Sequence, residues 1–207
     1  MADEGLERLS VDLAEQAGSR HYGKFPGTVT GVDGKTGYIK AQVPDIYGDT
    51  EESPWALPAV PFAGKDHGFV ALPEVGDGVW IEFIGGDISQ PIWTGCWWGD
   101  GELPAPGAEK TRAWITTAGH QLVLDDQGST VRLLHAKGAE LTLADSDITV
   151  KIGQSEATLV DSGEITLKVG GTEISLTLTG LSLKCGPASI KLSAAGVDIN
   201  NGAIKVL

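Results

Sequence analysis

Glu164-Ile165-Thr166-Leu167-Lys168-Val169-Gly170-Gly171-Thr172-Glu173-Ile174-Ser175-Leu176-Thr177-Leu178 decides the fold. Ile165, Leu167 and Val169 fall on alternate positions, as do Ile174, Leu176 and Leu178, with Glu, Thr, Lys and Ser between them. Side chains alternate along a strand with period two, so each run has one apolar and one wet face. Gly170-Gly171 supplies the corner between two strands.

The same texture extends in both directions. Short alternating segments stand at 121–124, 131–134, 140–143, 148–152, 157–160, 164–169, 173–178, 181–185, 189–192, 197–199 and 203–206. Their starts are roughly 8 to 10 residues apart, the spacing of an all-β repeat. Glycines at 153, 163, 170, 171, 180, 186, 196 and 202 mark most corners. One such rung cannot enclose a core. Either three successive rungs form the walls of a single-chain solenoid, or three chains each contribute a wall to a triangular prism. The uniform corners favour the trimer.

Upstream of a Pro/Gly-rich bend at 102–109, the chain reads as five or six separate strands that make a small barrel. They lie at 25–32, 38–43, 55–60, 68–72, 79–84 and 91–98, with an acidic loop at 45–54. Leu6, Leu9 and Leu13 share one face of a short N-terminal helix, read either as a frayed terminus or as a docking arm.

The 207 residues are 41% hydrophobic and 21% charged, as in a folded soluble domain. The net charge of −13 repels phosphate backbones and argues against nucleic acid. The acidic start Met1-Ala2-Asp3-Glu4-Gly5 is unlike a secretory signal. Cys96 and Cys185 form no CxxC pair, and their strand-like settings predict buried free thiols.

Several short motifs stand in a fixed order. Tyr22-Gly23-Lys24 leads into Gly27-Thr28-Val29, and Lys40-Ala41-Gln42-Val43-Pro44 ends a strand in proline. Ser53-Pro54-Trp55 follows, then Leu72-Pro73-Glu74-Val75-Gly76-Asp77-Gly78-Val79-Trp80-Ile81-Glu82-Phe83. Gly86-Asp87 and Pro91-Ile92-Trp93-Thr94-Gly95 close the series, and Gly119-His120 with Asp125-Asp126 marks the junction. In this order the segment from Tyr22 to Trp98 resembles the OB-fold domain of phage baseplate assembly protein V and of VgrG spike proteins of type VI secretion.

The resemblance implies an all-β chain: an N-terminal OB-fold barrel followed by a C-terminal trimeric (triple-stranded) β-helix. The expected organisation is an arm or short helix over 1–20, an OB-fold domain over 21–103, a linker over 104–120 and a β-helix spike over 121–207. The expected trimer core is Ile165, Leu167, Val169, Ile174, Leu176, Leu178, Leu181, Leu183, Ile190 and Leu192. Ile204, Val206 and Leu207 are read either as a docking point for a PAAR-like tip protein or as a terminal rung. The implied role is the central spike of a contractile injection machine, assembled in the cytoplasm into a virion tail or injection particle. Its partners are two further copies, a tail hub protein above the barrel and, transiently, the target membrane.

No chemistry competes with this. His21, His67, His120 and His135 lack HxH or HExxH spacing, so no metal is expected, and the metal-binding HxH tip of some relatives is absent. Asp125-Asp126 and Asp145-x-Asp147 read as turn formers rather than a Ca²⁺ loop. No GxSxG element or P-loop occurs, and neither an enzyme nor a cofactor is expected. The rival class is a glycan-binding OB module on a β-solenoid spacer, motivated by Trp93, Trp97 and Trp98.

Overall fold

A computed structural model describes Gly18 and Arg20 through Val206, with Lys205 and Val206 described by backbone alone. The leucines of the N-terminal arm and Leu207 lie outside the described residues. The chain divides into two units, one ending at Leu103 and the other beginning at Pro104. No helix among the described residues is long and apolar enough to cross a membrane.

The first unit is built on β1 (Phe25–Asp33), β2 (Tyr38–Gln42), β3 (Leu57–Pro58), β6 (Gly78–Phe83) and β7 (Pro91–Trp97). The sheet order is β2-β1-β6-β7-β3, antiparallel except that β3 runs parallel to β7. The two edges then meet. Ile39 of β2 and Ala56, just before β3, exchange backbone hydrogen bonds of 3.2 and 2.8 Å. Ser53 extends the seam: its hydroxyl accepts from the Ala41 amide at 3.0 Å and donates to the Pro54 carbonyl. Closure leaves a five-stranded barrel with the connectivity of an OB fold.

Alternation fills the barrel. Val79, Ile81 and Phe83 point inward from β6 and meet Val29, Ile39, Ala41, Val43, Ala56 and Trp93. The indole Nε1 of Trp93 donates to the Gly37 carbonyl at 3.2 Å, so its one polar atom is satisfied inside. Trp97 lies across Gly78, where a Cβ would come within 2.6 Å of the indole. Tyr47 packs edge-on against Phe83 and donates to the Ile88 carbonyl; burial pushes its phenol up to about 12.

Prolines explain where the strands differ from expectation. Of 55–60 only Leu57–Pro58 is strand, because Pro54, Pro58 and Pro61 remove ladder donors. Residues 68–72 are not a strand of the barrel; instead β4 (Ala63–Gly64) and β5 (His67–Gly68) form a small separate ribbon. The acidic loop opens with a single helical turn, α1 (Pro44–Tyr47), started by a proline whose φ is already helical.

The second unit is one antiparallel meander. Its twelve strands, β8 to β19, lie in strict sequence order. They are β8 (Thr111–Ile115), β9 (Gln121–Asp125), β10 (Thr130–Leu134), β11 (Glu140–Leu143), β12 (Asp147–Ile152) and β13 (Ser155–Val160). Then come β14 (Glu164–Val169), β15 (Thr172–Thr177), β16 (Gly180–Cys185), β17 (Ala188–Ser193), β18 (Gly196–Ile199) and β19 (Ile204–Val206). The sheet begins inside the stretch 104–120, where β8 pairs with β9. A single-chain solenoid of three walls would set each strand beside the third one on. Here every strand pairs with its sequence neighbours, so that alternative is excluded.

Corners set the period. Gly170 (φ 57°) and Gly186 (φ 55°) each lead a two-residue turn whose second residue has negative φ. That is the II′ pattern, which matches the twist of paired strands. The corners Leu178-Thr179 and Ala194-Ala195 have no glycine, so the turn length rather than glycine is what repeats.

Ile81 sits fully buried at the centre of the barrel. Ile81→Ala is expected to cost about 2–5 kcal/mol, the range for emptying a close-packed site. Denaturant unfolding followed by tryptophan fluorescence measures it; a loss under 1 kcal/mol would contradict the packing described.

Candidate functional site: an apolar sheet face

From β15 onward the strands begin at Thr172, Gly180, Ala188, Gly196 and Ile204, every eighth residue. Antiparallel partners share a face, and across a two-residue corner they lie an odd number of residues apart, so the apolar set changes parity from Ile174 and Leu176 to Leu181 and Leu183 and back to Ile190 and Leu192. Register turns this into continuous columns. Ile148 pairs with Leu159, then Ile165, Leu176, Leu181, Leu192, Val197 and Val206 follow by direct cross-strand pairing. Beside it run Val150, Ala157, Leu167, Ile174, Leu183, Ile190, Ile199 and Ile204. Both columns continue upward, through Leu143, Val131 and Leu124 in one and Leu141, Leu133 and Leu122 in the other.

Eight of the ten expected core residues therefore stand in these two columns: Ile165, Leu167, Ile174, Leu176, Leu181, Leu183, Ile190 and Leu192. Val169 lies in a third, sparser column that continues through Thr172, Cys185 and Ala188. Leu178 is not brought to the columns; it occupies the corner after β15 and is 85% exposed. Among the terminal residues, Ile204 is exposed at the end of the second column.

Among the described residues of the single chain nothing covers this face. Ile165, Leu167, Ile174, Leu176, Ile190 and Leu192 remain 38–49% exposed, while Ser175 on the opposite face is only 9% exposed. Burying the remaining surface would stabilise by on the order of 1 kcal/mol per side chain. A run of uncovered columns this long exceeds the apolar patch of an ordinary monomer.

The opposite face is polar in an equally ordered way. Its centre is a ladder of small hydroxyls: Thr142, Thr149, Thr158, Thr166, Ser175 and Ser182. At its flank Glu140, Lys151, Glu156, Lys168, Glu173 and Lys184 face one another in alternating sign. Lys168 and Glu173 approach to 3.7 Å. Arg132 Nε donates to Glu140 Oε1 at 2.8 Å, and that bond, with one from Thr142, holds the Glu140 carboxyl below its usual range. The bond is present at neutral pH and lost as pH falls through the acid carboxylate range.

Comparison with known proteins fits both units. Residues 25–98 match the injector OB domain of type VI secretion systems and phage baseplates. Residues 152–205 match the C-terminal trimerisation domain of phage baseplate V. The chain thus carries the OB and trimerisation domains of phage baseplate V and is similar to VgrG-like baseplate spike proteins. It is 33% identical over 68% of its length to the type VI secretion system spike protein VgrG3 of Vibrio cholerae serotype O1. It is 27% identical over 87% of its length to the actin cross-linking toxin VgrG1 of the same species and serotype. Those stretches span 16% and 22% of the two relatives. In this VgrG-like chain the match to the trimerisation domain falls on the uncovered columns.

Other side chains singled out in the sequence take local roles. Trp93 is 5% exposed in the barrel core, whereas Trp98 is 66% exposed; the pair forms no common platform for a sugar. Trp55 instead carries Lys40 Nζ over its ring at 5.6 Å. Asp125 accepts from the amides of Gln127 and Gly128 in its own turn, and Asp126 pairs with Arg112 at 2.7 Å. Among the described residues no three His, Cys, Asp or Glu side chains converge on a metal-sized site. The thiols depart from expectation: Cys96 and Cys185 are both exposed in the single chain. Cys185 lies in the third column, beside the uncovered apolar face. What sequence reading missed was the alternating Glu/Lys flank; only the register, not the spacing, reveals it.

Lys168→Glu would set three carboxylates in a row with Glu156 and Glu173. A loss of about 0.2–1 kcal/mol is expected, shrinking in high salt. Thermal melts at low and high ionic strength test this; an unchanged or higher melting temperature at low salt would count against the ladder.

Proposed function

We propose that this chain is the central spike of a contractile tail or contractile injection system, three copies forming a rigid needle that is driven through a target envelope. The observation that carries the reading is the pair of unbroken apolar columns, exposed in one chain and matched over 152–205 by a trimerisation domain. In the trimer the columns of three copies face one another, with Ile165, Leu167, Ile174, Leu176, Leu181, Leu183, Ile190 and Leu192 as the dry interior. Val169 lines the margin. The hydroxyl ladder and the alternating charges face water.

The organisation that follows is an OB-fold barrel over 21–103, a junction over 104–120 and a spike over 121–207, with 1–20 as an arm. Neither catalysis nor a cofactor is needed, since the work of penetration comes from the contracting sheath. The barrel docks below a tail hub protein, and the chain is assembled in the cytoplasm before joining the particle. At the far end Ile204, Val206 and Leu207 offer an apolar platform for a PAAR-like tip protein. Contact with the target membrane is transient, and the acidic surface keeps nucleic acid away.

Two experiments test this. Native mass spectrometry should give a trimer, and Leu176→Asp combined with Leu183→Asp should give a soluble monomer with an intact barrel; a monodisperse wild-type monomer would remove the needle. Deleting 203–207 should spare the trimer while weakening capture of a PAAR-like protein at least tenfold. Unchanged capture would return these residues to the role of a terminal rung.

A further inference from the structure

His120 and His135 stand at the junction end of the apolar face. His120 lies just before β9 and His135 just after β10, in phase with Leu122 and Leu133. Their rings are 4.4 Å apart between centroids. They border a groove of about 360 Å³ whose walls include Leu133, Leu141, Val150 and Ile152, all on the same face.

Both rings are tied through Nδ1. The Ala136 amide donates to His120 Nδ1 at 3.4 Å, and the Lys137 amide donates to His135 Nδ1 at 3.1 Å. A ring nitrogen that accepts an N–H bond carries no proton, so both contacts require a ring with its hydrogen on Nε2. That tautomer also leaves Nε2 without a lone pair for a metal.

The charges around the pair give no help to an imidazolium. Lys137 belongs to the turn of His135 itself. Arg132 on β10 and Lys151 on β12 stand on the opposite face by register, and Glu140 on β11, which also borders the groove, has its carboxylate held by Arg132 at 2.8 Å. β8 and β9 bring Trp114 and Gln121 to this end, neither of them charged. Among the described residues no carboxylate forms an ion pair with either ring.

We propose that further copies of this chain close over the His120–His135 pair, and that the pair makes this end of the contact open in acid. The occupant is a second copy because the columns run without a break from Leu122 and Leu124 into the trimerisation domain. The inference rests on the trimeric reading above. Protonation at Nδ1 displaces the donated amide and places two cations side by side on an apolar surface. Separated faces can hydrate those cations, whereas closed faces cannot. The closed form therefore binds fewer protons. It loses ground to the separated form as pH falls, by up to about tenfold per pH unit for each proton taken up.

Hydrogen exchange on the full-length trimer at pH 7.5 and 5.0, corrected for intrinsic rates, tests this. Amides of 116–140 should exchange at least tenfold faster at pH 5.0, while those of 172–199, a stretch without histidine, stay protected at both. His120→Gln combined with His135→Gln should abolish the difference. Equal protection of 116–140 in the wild type at the two pH values overturns the proposal, as does an undiminished acid response in the double variant. A monomeric mass at pH 7.5 is a separate result that overturns the trimeric reading itself.

Discussion

Pairing register is the constraint on which the second unit depends. Residues paired directly across two strands share a face, and in this register apolar residues sit opposite apolar residues, strand after strand. A slip of one residue in the pairing of two strands would turn one strand's apolar set to the opposite face and break both columns there. The chain thus concentrates its Ile, Leu and Val on one surface that it cannot cover, because each strand already spends its edges on its two neighbours in sequence. Hydrogen bonding is complete within the meander and hydrophobic burial is not. In the trimer proposed above, the two forces are divided between levels of organisation: the backbone ladder belongs to the single chain and the dry interior to the assembly.

That division has a mechanical consequence. Successive strands lie about 4.8 Å apart along the direction in which the sheet grows, so twelve of them extend over roughly 50 Å. Compression along that direction loads backbone hydrogen bonds in series, while bending must pull apart packed side chains between copies. The polar face adds a weaker term. Its Thr and Ser ladder keeps the outer surface short and β-branched, and the Glu/Lys flank places opposite charges directly across each strand pair. A surface with both signs interleaved also discourages the edge-on association that an open sheet invites.

The sequence made the strands, their alternation and the barrel-then-repeat order legible, because period-two patterning and glycine-led corners are local signals. Eight of ten expected core positions lie in the two columns for the same reason. Leu178 shows where local reading stops: it continues the alternation of Ile174 and Leu176, but the chain turns there to keep the eight-residue period. The prolines around Trp55 hid how short β3 is, and the closure between Ile39 and Ala56 is a long-range pairing with no spacing to announce it. The cysteines mislead for a related reason, since an apolar strand setting predicts burial only when something covers the strand.

The two units solve the problem of a small core in opposite ways. The barrel turns its sheet back on itself, so nine buried side chains from distant positions share one interior and Trp93 can spend its indole N–H on Gly37. The meander has no such return, since sequential hairpins only extend it. A charged residue placed in either interior would have different effects. In the barrel it would be a folding defect confined to one chain. In a column it would leave the meander's hydrogen bonds intact and strike only at the joining of copies, which is why Leu176 and Leu183 can separate folding from assembly while Ile81 cannot.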